Sequence, residues 1–335
     1  MRERTYFAEL CLIQIATPSE IVCADPLGAR DKADRPGDRF WDSLMRPEWV
    51  VHSARQDIEV VYQLAEKMPA RIFDTQVAAA FLGMQPQIGY AGLVKELFDV
   101  ELDKSHTRAN WTKRPIADEL LRYAAEDVQY LLPACEELTH RLESAGRLQW
   151  ALEDSQQLLD PALYDIDPAA AVARLKAARN LRGRVRAAAE GLATWREKEA
   201  LRTNRPRQWI IRDNTLVALA IEKPSSMSEL AQIEGLAEKT IRRAGKDLLR
   251  ILAEATDDAS GYQPPRRPDE KQKAALKEMQ RRVAAIGESV GVAAEVLAAK
   301  KELSAAMLGD RSGRIFRGWR KALFGDELLS VLENA

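Results

Sequence analysis

Three residues in the first half of the chain have the types and spacing for chemistry on a phosphodiester: Asp57, Tyr123 and Asp127. Tyr123 and Asp127 stand four apart in Tyr123-Ala124-Ala125-Glu126-Asp127, so on a helix they share one face. A phenol beside a carboxylate can orient a water that a carboxylate-held metal activates. Phosphodiester cleavage uses such a set, because two divalent cations about 3.5–4 Å apart stabilise the attacking and leaving oxygens. Carboxylates suit the task, since magnesium takes oxygen ligands and keeps several of its waters. Taken alone, Tyr-x-x-x-Asp is a weak signal, and on most helices it is surface or half-core decoration. Its weight depends on what surrounds it.

The elements that must hold these residues read as α/β. Leu10–Ala16 and Glu20–Ala24 are short apolar runs joined by Thr17-Pro18-Ser19, the pattern of a hairpin or meander. Phe40–Met45 predicts a short helix and Trp49–His52 a brief strand. Asp57 follows at the opening of a helix with apolar positions Ile58, Val61, Tyr62 and Ala65. Arg71–Phe73 reads as a strand and Thr75–Leu82 as a helix. Strands alternating with helices predict a sheet covered on its faces by helices. From Ala117 onward the period is helical almost throughout. A basic helix is expected at Ala169–Ala178, and later helices at Asp269–Ile286 and Ala293–Leu308. Thr256–Pro268 is polar, with one glycine and three prolines, and reads as a linker.

Composition narrows the classes. The chain has 335 residues, with 50 basic and 51 acidic side chains and a net charge of -1. No uncharged apolar run approaches the ~18–20 residues of a membrane span. Three cysteines, Cys11, Cys23 and Cys135, without a CxxC pair exclude a disulfide scaffold and a zinc ribbon. Arg2 and Arg4 before an apolar stretch imitate a signal peptide. Glu9 and Gln14 interrupt that stretch and no small-residue cleavage site follows, so a cytoplasmic location is expected. Residues 1–150 carry 18 basic and 24 acidic side chains, and residues 151–335 carry 32 and 27. An acidic half beside a basic half fits a metal-dependent site joined to a module for a polyanion, although two independently solvated surfaces give the same arithmetic. The absence of GxxxxGK[ST] argues against a helicase of the RecQ type.

In this context the first half resembles the ribonuclease D family, DEDD-type 3′→5′ exonucleases with a tyrosine in the last motif. The matching stretches are TYFAELCLIQIA (Thr5–Ala16), DPLG (Asp25–Gly28), VVHSARQDIEV (Val50–Val60), IFDTQVAAAFLG (Ile72–Gly83), GYAGLVKELFDVELDKSHTRANWTKRP (Gly89–Pro115) and YAAEDVQYLLP (Tyr123–Pro133). Leu192–Leu252 resembles the helicase-and-RNase-D C-terminal (HRDC) domain through Trp195, Arg205-Pro206, Asp213, Pro224, Gly235 and Gly245. Leu297–Leu332 resembles the more divergent second helical domain of the same family, with Gly318-Trp319-Arg320 as its clearest piece.

The resemblance implies an N-terminally truncated ribonuclease-H-like α/β exonuclease domain followed by two small all-α HRDC-type domains. The corresponding division is 1–150 for the exonuclease domain, 151–184 for a helical connector and 185–258 for the HRDC domain. A linker at 259–268 and a second HRDC-like domain at 269–335 complete it. The implied activity is removal of 3′ nucleotides from RNA, notably tRNA precursors, with two Mg²⁺ or Mn²⁺ ions per active site. Asp57 and Asp127 would be metal ligands, and Tyr123 would position the nucleophilic water. RNA contacts are expected from Lys104, Arg108 and Trp111 near the last motif, and from Arg205, Arg207, Arg242, Arg243 and Lys246 in the HRDC region. For Trp111 a core role is the competing reading, as is a solvated helix face for the basic residues. The chain is expected to act as a monomer, with RNA and no membrane as its partner.

One departure stands out. The family's first motif, Asp-x-Glu on the first strand, has no counterpart ahead of Arg2-Glu3-Arg4-Thr5-Tyr6. The expectation is that Met1 is an internal methionine and that the natural product starts further upstream, which the in-frame codons before Met1 would decide. The alternatives are an inactive RNA-binding relative and an exonuclease acting on DNA. Asp57-Ile58-Glu59 and Asp99-Val100-Glu101 are the other Asp-x-Glu triplets considered, and neither is expected to replace the missing pair.

Overall fold

The computed structural model describes residues 4–28, 36–103, 105–106, 109–257 and 268–333. Packing groups the segments into two compact units that do not follow chain order. One contains Leu10–Tyr164 with Arg267–Ala335, the other Met1–Glu9 with Asp165–Arg266.

In the first unit, β1 (Ile13–Ala16) and β2 (Ile21–Ala24) form an antiparallel hairpin with Ile13 opposite Ala24 and Ala16 opposite Ile21. The Thr17 hydroxyl accepts from the Ser19 and Glu20 N–H groups, and Thr17 N–H donates to the Glu20 carbonyl, which closes the turn. After α1 (Asp38–Met45) come β3 (Trp49–Val51), α2 (Arg55–Ala65) and β4 (Ile72–Asp74). β3 and β4 are parallel, with Val51 opposite Asp74, so α2 is the crossover of a βαβ unit. Among the described residues the two strand pairs are separate sheets.

Helices α3 (Thr75–Phe81), α4 (Tyr90–Phe98), α5 (Asp118–Gln129), α6 (Leu131–Ser144) and α7 (Leu148–Gln156) complete this part. Phe81, Leu93, Leu138 and Leu142 from these helices share one core with Met279, Val283, Trp319 and Phe324 from the C-terminal segment. Trp150 of α7 stacks on Trp319 with ring centroids 4.5 Å apart, and the Arg320 guanidinium lies 4.0 Å from the Trp319 centroid. A smaller core of Ala54, Ile58, Ile72 and Tyr164 lies under α2.

The second unit is helical: α8 (Gly183–Thr203), α9 (Arg207–Ile210), α10 (Asp213–Glu222), α11 (Met227–Leu230) and α12 (Glu238–Glu254). Ser226 caps α11 by accepting from the Glu229 N–H. The basic α-helix expected at Ala169–Ala178 is instead two 3₁₀ segments, Pro168–Arg174 and Lys176–Asn180. Asp167 caps the first, and the extended backbone of Leu175 separates them. Back in the first unit, α13 (Glu270–Val290) opens with a capping box between Asp269 and Gln272. The helix expected over Ala293–Leu308 is divided into α14 (Ala294–Leu297) and α15 (Lys300–Met307) by the extended backbone of Ala298 and Ala299. The expected linker lies almost wholly outside the described residues.

Candidate active site

Asp57 is the third residue of α2, in the turn where free N–H groups favour a negative charge. The start of that helix is set by a residue the sequence reading overlooked. Asp74, 2 % exposed, ends β4 and caps α3. Its carboxylate accepts from Gln76 N–H (2.9 Å) and also, across the βαβ unit, from Ser53 N–H (3.1 Å) and Ala54 N–H (2.8 Å). One side chain therefore fixes both helix starts. The signal was present as an aspartate between an apolar strand and Thr75-Gln76, the pattern of a helix cap. His52 is a packed histidine: Nε2 donates to the Ile88 carbonyl at 2.9 Å, Nδ1 faces the Thr75 hydroxyl at 2.9 Å, and burial depresses its pKa.

Asp57 touches water, yet protein crowds it. Loss of hydration, with the Asp74 carboxylate as second cause, pushes its pKa up to about 6. Among the described residues no cation or donor answers its charge.

Tyr123 and Asp127 lie on α5, one turn apart, and α5 packs against the β1–β2 hairpin. The Tyr123 ring meets His106 edge-on at 5.7 Å and Trp111 at 6.3 Å. Trp111, half-buried, thus stands beside the expected catalytic tyrosine. Asp127 is exposed at the last turn, and its pKa is also raised to about 6, by loss of hydration first and the Glu126 carboxylate second. Tyr90, another residue the sequence reading passed over, holds this turn. Its hydroxyl donates to the Glu126 carbonyl (3.2 Å) and accepts from Tyr130 N–H (3.0 Å), which locks the joint between α5 and α6.

Among the described residues no three His, Cys, Asp or Glu side chains converge as a metal site. Asp99 and Glu101 are exposed and share the Lys95 ammonium at 2.7 and 3.4 Å. Lys104 and Arg108 lie outside the described residues. Arg114 is committed to Asp25 (2.6 Å) and the Cys11 carbonyl (2.7 Å). In the other unit, Arg207 pairs with Glu197 at 3.2 Å, Arg243 with Glu199, and Arg242 with Glu238 at 3.9 Å. Arg205 lies against the Trp209 ring, 6.0 Å from its centroid, and Lys246 is exposed.

The chain matches known proteins along its length. Residues 1–143 match the model of a 3′-5′ exonuclease family and residues 185–252 that of the HRDC domain. The ribonuclease D of Gluconacetobacter diazotrophicus is 34% identical over 345 residues, covering 100% of this chain and 86% of that protein. The ribonuclease D of Pseudomonas paraeruginosa is 34% identical over 350 residues, covering 100% and 90%. The chain belongs to the ribonuclease D family. The crystal structure of Escherichia coli RNase D, an exoribonuclease involved in structured RNA processing, superposes with a TM-score of 0.88 at 28% identity over 100% of this chain and 91% of that one.

Membership makes the chain a hydrolytic 3′→5′ exoribonuclease, with a ribonuclease-H-like exonuclease domain followed by an HRDC domain. Its family works with divalent metals. No helix among the described residues is long and apolar enough to cross a membrane.

Proposed function

We propose that the chain trims the 3′ ends of RNA, tRNA precursors among them, in the cytoplasm and as a monomer, with residues 1–150 cutting and the HRDC domain at 185–258 gripping. The observation that carries the reading is the pair of crowded carboxylates, Asp57 and Asp127, that have no protein partner among the described residues. Oxygen donors whose charge is uncompensated fit a hard divalent cation, Mg²⁺ or Mn²⁺. Asp57 and Asp127 would hold it, and two such ions per site is the arrangement proposed. When bound, the metal would offset the charge on the phosphodiester and make a water more acidic. Tyr123, one turn from Asp127, would orient that water through its hydroxyl. Trp111 beside it offers a face for the terminal base. Lys104 and Arg108, shortly before Trp111 in the sequence, would meet the phosphates.

The test is release of labelled nucleotide from a 3′-labelled tRNA precursor, an RNA oligomer and a DNA oligomer. Release from RNA in Mg²⁺ or Mn²⁺, stopped by EDTA, is expected. Asp57→Asn and Asp127→Asn should each slow it by about 10²–10³-fold, with RNA affinity in EDTA unchanged. Full activity in Asp127→Asn would remove that residue from the metal site, and preference for DNA would overturn the substrate.

A further inference from the structure

We propose that the HRDC unit carries a nucleobase-stacking pocket for single-stranded RNA, built around Trp209 and flanked by Arg205 and Arg212. The proposal rests on the RNA-substrate reading above and gives it a second point of contact. Trp209 is 53 % exposed, whereas the other six tryptophans are buried or half-buried. An indole held in water costs the fold its burial, so its setting matters.

That setting is rigid. α9 is a single turn closed by Trp209 N–H donating to the Pro206 carbonyl at 2.8 Å. The next two residues, Ile210 and Ile211, are 8 % and 5 % exposed in the core, so the chain is pinned immediately after the ring. Opposite runs the turn Gly235-Leu236-Ala237 before α12. Gly235 has φ +76°, and a Cβ there would meet the Thr215 hydroxyl at 2.7 Å, so only glycine keeps this wall in place. Between the walls is an open cavity of about 710 Å³, a size that takes a nucleotide.

The charge has one sign. Arg205, Gln208, Arg212 and Thr240 are the polar side chains lining the cavity, and no carboxylate lines it. Glu234, next to Gly235, is exposed and does not line the cavity, and four other neighbouring carboxylates are engaged with cations. Asp213 pairs with buried Arg196 at 2.7 Å, Glu197 with Arg174 at 2.8 Å and with Arg207, Glu199 with Arg202 and Arg243, and Glu238 with Arg242. Neither Arg205 nor Arg212 forms an ion pair among the described residues. An exposed indole in a cavity also lined by two guanidiniums, with Arg205 lying 6.0 Å from the ring centroid, offers a base a stacking surface and its flanking phosphates cationic partners. A peptide-docking surface would extend the apolar area, whereas here the rim is cationic and the floor, Ile210, Ile211 and Leu236, is already buried.

The experiment measures fluorescence anisotropy of a labelled oligoadenylate with the whole chain in EDTA, where no hydrolysis contributes. Trp209→Ala should weaken binding about ten-fold, and Trp209→Phe should keep it within about three-fold. The preference for single strand over a duplex of equal length should shrink in Trp209→Ala. Arg205→Gln with Arg212→Gln should reduce the salt slope by about 1.4, near 0.7 for each lost phosphate contact. Trp209→Ala binding within two-fold of the parent would overturn the pocket. So would a change in sedimentation with RNA affinity intact, which would mark a protein-docking surface. Failure of the exonuclease reading would look different, because nucleotide release would be missing while these affinities stood.

Discussion

Asp57 and Asp154 are aspartates on helices of the same unit, and their surroundings are opposites. Asp154 of α7 receives Arg320 through both oxygens at 2.5 and 2.7 Å, Arg314 at 3.1 Å and the Trp319 indole N–H at 3.2 Å. Asp57 receives none of these and sits near another carboxylate, Asp74. Glu197 in the other unit repeats the first case, fully buried and shared by Tyr6, Arg174 and Arg207. A carboxylate whose donors come from the protein holds segments together. A crowded one without a protein partner among the described residues, as at Asp57 and Asp127, is the kind of carboxylate that the proposed metal would use.

The comparison breaks most visibly at Asp154. Arg320 is 1 % exposed and lies on Trp319, so Asp154→Ala would leave a buried guanidinium without its counter-charge. A loss of about 3–5 kcal/mol in urea unfolding is expected. A loss below about 1 kcal/mol would mean that the stacked tryptophans, not the ion pairs, fasten α7 to the C-terminal helices. Asp74 sharpens the same point with N–H donors instead of cations. Asp74→Ala strips the cap of α3 and leaves Ser53 and Ala54 N–H unpaired, which should cost about 2–4 kcal/mol. Because those groups set the first turn of α2, nucleotide release should fall as well. Stability lost with release unchanged would separate Asp74 from the placement of Asp57.

These residues also mark what the sequence disclosed. The hairpin, the βαβ alternation and the tyrosine–aspartate face were legible because each rests on local periodicity and turn chemistry, and Thr17-Pro18-Ser19 closes its turn through a bond within four residues. Asp74 and Tyr90 were not legible as supports, because their partners lie 20 and 36 positions away in the chain. The 3₁₀ segments at Pro168–Asn180 were missed for a related reason. Alanine-rich, amphipathic spacing suits an α-helix, and packing against α8 decided otherwise. Family likeness supplied the roles proposed for Asp57 and Asp127. The structure adds that each lacks a protein partner among the described residues, a property no motif encodes.

A smaller effect is expected at Tyr90. Tyr90→Phe keeps the ring against His52 and removes only the hydroxyl that joins Glu126 to Tyr130. About 1 kcal/mol of stability should go. If the joint positions Asp127, kcat should fall while KM holds. A change in KM alone would instead place Tyr90 in substrate binding.

The smallest expected effect has the opposite sign. Loss of hydration and the Asp74 carboxylate push the Asp57 pKa up to about 6, against an ordinary value of 3.8. Between those values the folded chain holds a proton that the unfolded chain has released, so stability falls as pH rises from about 4 to about 6 and then levels. Asp57→Asn removes the charge that is disfavoured. In EDTA at pH 8 the variant should match or exceed the parent by no more than about 1 kcal/mol, since water reaches the group and screens it. Its melting temperature should also change less between pH 4 and pH 7. Adding Mg²⁺ should raise the parent's melting temperature at pH 8 more than the variant's, because a ligand stabilises only the fold that binds it. A variant that lost stability in EDTA at neutral pH would show that Asp57 serves the fold as Asp154 does, and the contrast between them would fail.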